Sequence, residues 1–68
     1  MKLIEIAPEQ YINVGTGAVS RVYLSEGYSE GPTPTVVMNT GFELRVTGST
    51  LAQVITFLQS HEQDYEGN

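Results

Sequence analysis

The chain has 68 residues, with 8 acidic and 3 basic side chains, a net charge of −5 and no cysteine. It is long enough for one small domain, disulfides and thiolate metal sites are excluded, and the single histidine argues against a structural metal site built on imidazoles. The shortage of cations argues against broad binding to DNA or RNA, because few basic groups are present to displace phosphate counterions.

The first half of the chain is predicted to form extended segments separated by turns. Lys2–Ile6 is apolar and β-branched enough for a strand, and Pro8 ends it because proline lacks a backbone donor. Tyr11–Val14 resumes extended character before the glycines of 15–17, which are typical of a turn or bulge. Ala18–Leu24 alternates as a further strand. The short apolar start is interrupted too early for a signal peptide or a membrane span, so we expect no membrane association.

Residues 25–34 are predicted to form a surface loop. The segment SEGYSEGPTP contains two glycines and two prolines and has no periodicity. Loops longer than an ordinary hairpin connection often carry function, and Tyr28 is an exposed aromatic candidate for a contact. The alternative interpretation is an irregular hairpin tip.

The stretch VVMNTGFELRV, residues 36–46, predicts a β-hairpin. Its NTG turn fits a three-residue loop that Gly41 closes in the left-handed region. This register places Val36 opposite Leu44 and Met38 opposite Phe42. Alternation then separates two faces, since a slip of one residue would turn the whole apolar set outward. The apolar face carries Val36, Met38, Phe42, Leu44 and Val46, and the other face carries Thr35, Val37, Glu43 and Arg45.

A helix is predicted after this hairpin. The stretch TGST supplies a capping oxygen from Ser49 or Thr47. Apolar residues then recur at the spacing of one helical face, and Phe57 lies beside this stripe. We expect the stripe to pack over the apolar face of the hairpin. The stripe consists of Leu51, Val54, Ile55 and Leu58.

These elements predict an α+β fold, a small antiparallel sheet of three to five strands with one C-terminal helix packed on one face. Residues 1–60 are expected to form the domain. Residues 61–68 are expected to form an acidic, flexible tail, because terminal polar segments are seldom held in place. The absence of cysteine fits a reducing cytoplasm.

No arrangement of residues in the sequence predicts catalysis. A serine nucleophile needs a base within hydrogen-bond reach, and the only imidazole, His61, is expected at the end of the helix, where a cation favours the helix dipole. The carboxylates lie in loops, termini and flanks, as solubilising charges do. We therefore expect a protein that is not an enzyme and that holds no metal or cofactor.

The size of the chain predicts self-association. A domain of this length buries so little apolar surface that its stability alone is marginal. With disulfides excluded and a structural metal site disfavoured, a second chain is the remaining source of stability. The sheet face away from the helix should mix Val19 with other apolar, aromatic and arginine residues, as interface cores do. We expect a homodimer or higher oligomer that associates through its sheet, by an exposed edge or by this outer face, and that also binds a protein partner. The residues expected at these contacts are Tyr23, Tyr28, Val37, Arg45 and Phe57.

Two other functions stay open. An oligomer could hold an anionic metabolite or nucleotide between subunits, through Arg21 and Arg45 together with Thr47 and Ser49 at the helix start, where free N–H groups attract anions. The acidic composition also allows a virus-encoded inhibitor that imitates nucleic acid, although its carboxylates are sparse.

The order YINV, VSRVYL, then TVVMNTGFELRVTGSTLAQVITFL resembles that of small FlbD-type flagellar or swarming-motility proteins. The resemblance covers residues 11–58 and consists of a hydrophobic pattern and one Asn/Gly turn. This sequence departs from that pattern by inserting GTGA and the long loop of residues 25–34. The resemblance implies a small, non-enzymatic regulator.

Overall fold

A computed structural model describes residues 1–27, 29 and 31–66, and side chains as far as Ser60. It contains five strands and one helix, which confirms the predicted α+β fold class at the upper end of the expected strand number. The elements are β1 (Leu3–Ala7), β2 (Gln10–Asn13), β3 (Val19–Ser25), β4 (Thr33–Met38), β5 (Glu43–Arg45) and α1 (Leu51–Glu66).

The strands form one antiparallel meander in the order β1-β2-β3-β4-β5. Each strand pairs with its neighbour in sequence, so every connection within the sheet is a hairpin. In the described part of the chain β1 and β5 are the two edges. β5 is the shortest strand, with three residues.

The hairpin of β4 and β5 has the predicted register. Val36 lies opposite Leu44, and the Met38 N–H donates to the Phe42 carbonyl at 2.8 Å. The Gly41 N–H donates back to the Met38 carbonyl at 2.9 Å, and Gly41 has φ 94°. A side chain is strained at such a φ, so glycine suits this turn.

A bulge in β3 places Val19 on the face opposite to the one predicted. The register shifts between Val19 and Arg21, so that Val19 pairs with Met38 while Arg21 pairs with Val37. Because one extra residue reverses the alternation, Val19 turns towards the helix and becomes buried. The expectation that it belongs to the outer face was wrong.

The core lies between the sheet and α1 and is small. Val22, at the centre of β3, is fully buried. The Leu3 N–H donates to the Gln59 side chain at 3.4 Å, which connects the first strand to the helix. The buried core cluster is Leu3, Val19, Val22, Val36, Val54 and Ile55, with Met1, Tyr11, Met38, Val46, Leu51 and Leu58 packed around it.

Helix α1 is capped by Thr50, and not by Ser49 or Thr47 as predicted. The Gln53 N–H donates to the Thr50 hydroxyl at 3.1 Å, and the Thr50 N–H donates to the Gln53 side-chain oxygen at 2.9 Å. This reciprocal pair is a capping box. The helical backbone continues to Glu66, while the side chains from His61 onward and residues 67–68 lie outside the described part. The flexible tail stays a prediction.

Replacing Thr50 with alanine should therefore destabilise the protein by about 1 kcal/mol, because the side-chain acceptor of the capping box is lost. The matched control is Ser49→Ala, which should stay within about 0.5 kcal/mol of the wild type, since no cap bond involves Ser49. Urea unfolding followed by circular dichroism measures both. Equal losses in the two variants would contradict this assignment of the cap.

Candidate protein-binding surface

The helix does not cover the whole apolar face of the sheet. α1 packs against β3 and β4, where it buries Val54 and Ile55. The sequence predicted that its stripe would also lie over the apolar side chains at the end of the hairpin. Phe42 and Leu44 instead remain 61% and 51% exposed. That part of the prediction was wrong, because the helix packs over β3 and β4, where the core residues Val19, Val22 and Val36 lie.

An open groove of about 720 Å³ remains between α1 and the β4–β5 hairpin. Its floor comes from the sheet, with Leu44 at the β5 edge, and Phe57 lines its helix side. Most of the surface that lines the groove is apolar. The lining residues are Val19, Val36, Met38, Leu44, Val46, Gly48, Ser49, Gln53, Val54, Phe57 and Leu58.

Three large apolar side chains around this groove are strongly exposed. Phe57 is 64% exposed and lines the groove, as does Leu44. Phe42 stands on the same strand face as Leu44 by alternation. Burying a fully exposed side chain of this kind contributes about 1.5–3 kcal/mol, so covering the half to two-thirds that is exposed here contributes roughly 1–2 kcal/mol for each residue. An apolar surface that covers the groove is therefore stabilised by the contact. We call Phe42, Leu44 and Phe57 the groove rim. The other strongly exposed large hydrophobics among the described residues are Ile4, Ile6 and Val14.

The outer face of the sheet offers less apolar surface than the sequence predicted. The Arg21 guanidinium lies 4.7 Å from the centre of the Tyr23 ring, a cation–π arrangement on β3. In the next strand Val37 is only 8% exposed and Thr35 only 2%. A single copy therefore already covers the middle of this face.

The residues predicted at protein contacts lie on two different faces. Tyr23, Val37 and Arg45 lie on the outer face, since Val37 pairs with Arg21, and Tyr23 and Arg45 both pair with Thr35. Phe57 lies on the helix, at the groove. Tyr28 lies outside the described residues.

The residues predicted to bind an anion are also divided. Arg21 and Arg45 stand on the outer face of the sheet, whereas Ser49 lines the groove on the helix side. Thr47 and Ser49 together border a small polar hollow of about 80 Å³ beside residues 32–34. At the helix start the capping box already binds the Gln53 N–H. The arginines and the helix start therefore do not form one site within a single copy.

Two rim residues, Phe42 and Leu44, were missed as functional candidates because the sequence placed them under the helix. A signal was available in the connection between hairpin and helix. Only residues 46–50 join β5 to α1, so the helix must begin near the sheet edge and turn back across it. In this fold α1 packs mainly against β3 and β4, and Leu44 of β5 stays 51% exposed.

In the described part of the chain, no helix is long and apolar enough to cross a membrane. Within the same residues no group of three or more histidine, aspartate or glutamate side chains is placed to hold a metal ion.

Comparison with protein-family models, with curated proteins and with solved structures finds no match to this chain. The resemblance to FlbD-type proteins stays a prediction, and function has to be argued from the surface itself.

Proposed function

We propose that this chain is a small, non-enzymatic protein that self-associates through its apolar groove and, once assembled, binds a protein partner. It acts by scaffolding or occluding that partner, and it works in the cytoplasm, which the absence of cysteine fits. The observation that carries the proposal is the groove rim, three large apolar side chains that are each more than half exposed. Leu44 and Phe57 line the open groove, and Phe42 shares the strand face of Leu44.

The balance between buried and exposed apolar residues supports association. The described residues contain seven buried hydrophobic side chains, of which five are valines. Phenylalanine and leucine carry more apolar area than valine, yet both phenylalanines of the chain stand at the rim. A single domain of this size has only a small margin of stability, and the rim is where a second chain can add burial.

The character of the groove favours a protein surface over a polar ligand. Large exposed apolar patches mark contacts with other apolar surfaces, such as that of a partner protein, and a polar ligand does not supply one. The net charge of −5 makes a basic surface the natural complement for a further partner outside the groove. Anion binding has weaker support, because Arg21 and Ser49 stand on opposite sides of the sheet.

Sedimentation analysis of Phe57→Glu tests the proposal. The wild type should sediment at a multiple of the 7.4 kDa chain mass. Phe57→Glu should weaken self-association at least about 30-fold, because a carboxylate replaces an aromatic anchor in an apolar contact.

Thr56→Glu is the matched control. Thr56 is exposed and does not line the groove, so the substitution adds the same charge one position away from the rim. Its association should match that of the wild type. A wild-type protein that sediments at 7.4 kDa at every concentration would refute the proposal.

A further inference from the structure

The edge strand β5 presents backbone groups to the open side of the sheet. The Val46 N–H donates to the Pro34 carbonyl, and the Met38 N–H donates to the Phe42 carbonyl, each at 2.8 Å. Hydrogen-bonded positions alternate along an antiparallel strand, so Leu44 directs its N–H and C=O towards β4. The N–H and C=O groups of Glu43 and Arg45 therefore point away from β4. No described strand lies beyond β5.

The side chains along this strand are self-complementary. The order from residue 42 to residue 46 is Phe-Glu-Leu-Arg-Val. An antiparallel copy centred on Leu44 sets Glu43 opposite Arg45 of the partner subunit, and the two-fold axis repeats this pair. Leu44 meets Leu44 of the partner subunit, and Phe42 meets Val46 of the partner subunit. Each apolar side chain of residues 42–46 thus faces an apolar side chain, and each charged side chain faces one of opposite charge.

We propose that two copies join by antiparallel pairing of their β5 strands, which produces a continuous ten-stranded sheet. This inference rests on the proposed self-association and names its geometry. Charged residues usually protect an edge strand from other strands. Here the two charges are opposite and two residues apart, so an antiparallel copy sets each of them opposite a charge of the other sign. A parallel copy in register would bring like charges together, which selects the antiparallel arrangement.

The pairing also covers part of the groove rim. The two-fold axis is perpendicular to the sheet, so both helices lie on one face and the two grooves become neighbours. Leu44 occupies a pair without hydrogen bonds, where side chains of opposite strands come closest. Phe42 gains contact with an apolar side chain across the seam, and Phe57 faces the same side of the sheet.

The chain exposes enough surface around β5 to form a dimer interface of standard size. A standard interface buries about 800 Å² on each partner, which is about a sixth of the 4604 Å² that the chain exposes. Three paired residues of backbone do not provide that area alone. The rim and the groove lining, which stand beside the strand, have to supply the rest.

The experiment reverses the charges of β5. Glu43→Arg and Arg45→Glu should each weaken dimerisation at least about tenfold, because each sets like charges against one another at both ends of the seam. The double variant, Glu43→Arg with Arg45→Glu, restores the opposite pairs and should dimerise as the wild type does. An equimolar mixture of the two single variants should form a heterodimer.

Net charge provides an internal control. Glu43→Arg changes the net charge from −5 to −3, since +1 replaces −1. General repulsion between acidic copies would then decrease and association would strengthen, whereas pairing of β5 strands predicts the reverse. The double variant keeps the net charge at −5, and circular dichroism checks that each variant is folded.

Analytical ultracentrifugation of the four proteins and the mixture separates the possible failures. An oligomeric wild type with unaffected single variants would overturn the β5 pairing and leave the proposed self-association intact. The β5 pairing is overturned equally if the single variants lose association while neither the double variant nor the mixture recovers it. A monomeric wild type would refute both proposals together.

Discussion

Replacing Val22 with alanine is expected to lower the free energy of unfolding by about 2–3 kcal/mol, from lost burial together with the cavity that remains. Val22 is fully buried in the central strand β3 and lies directly opposite Val36 on the helix side of the sheet. Neighbouring strands on both sides limit how far the backbone can move to fill the space. For a domain of this size the loss is a large fraction of the total stability.

Val14→Ala is the control for this substitution, because it removes the same atoms from a side chain that is 51% exposed. We expect it to stay within about 0.5 kcal/mol of the wild type. Urea unfolding of both variants at one chain concentration gives the comparison. Similar unfolding midpoints for the two variants would contradict the position of Val22 at the centre of the core.

Local chemistry made the β4–β5 hairpin predictable. The turn needs a residue with positive φ, and the glycine of NTG stands at the position that supplies it. Once Gly41 fixes the turn, alternation determines which residues share a face. Val36 and Leu44 therefore oppose one another as the sequence indicated.

The β3 bulge was not predictable in the same way. A bulge inserts one residue without a distinct sequence signal, and AVSRVYL alternates acceptably in either register. The choice depends on the buried positions available to Val19 beneath the helix, which is a tertiary effect. A tertiary effect also determines the position of α1. The backbone N–H of Leu3, in the first strand, donates a hydrogen bond to the Gln59 side chain of the helix, and the Leu3 side chain belongs to the core cluster beneath the helix.

The candidate site followed from the sequence only in part. Phe57 was identified because it lies beside the helical stripe, and it does line the groove. Leu44 was assigned to the core because its pattern is that of a buried strand residue. Its exposure depends on how far the helix extends across the sheet, and the pattern of one strand does not contain that information.

The stability of the intact protein is expected to depend on chain concentration. If a second copy covers the groove rim, unfolding and dissociation are linked, so a higher concentration favours the folded dimer. A tenfold rise in concentration adds about 1.4 kcal/mol per dimer, or about 0.7 kcal/mol per chain. For a domain of this size that corresponds to an increase in the melting temperature of about 3–5 °C.

Self-association is therefore best tested by the melting temperature of the wild type over about a hundredfold range of chain concentration. We expect a steady rise of about 6–10 °C across that range, and a smaller rise or none for Phe57→Glu. A wild-type melting temperature that does not change with concentration, together with a cooperative transition, would mean that one copy is sufficient. The rim would then not be a site of self-association.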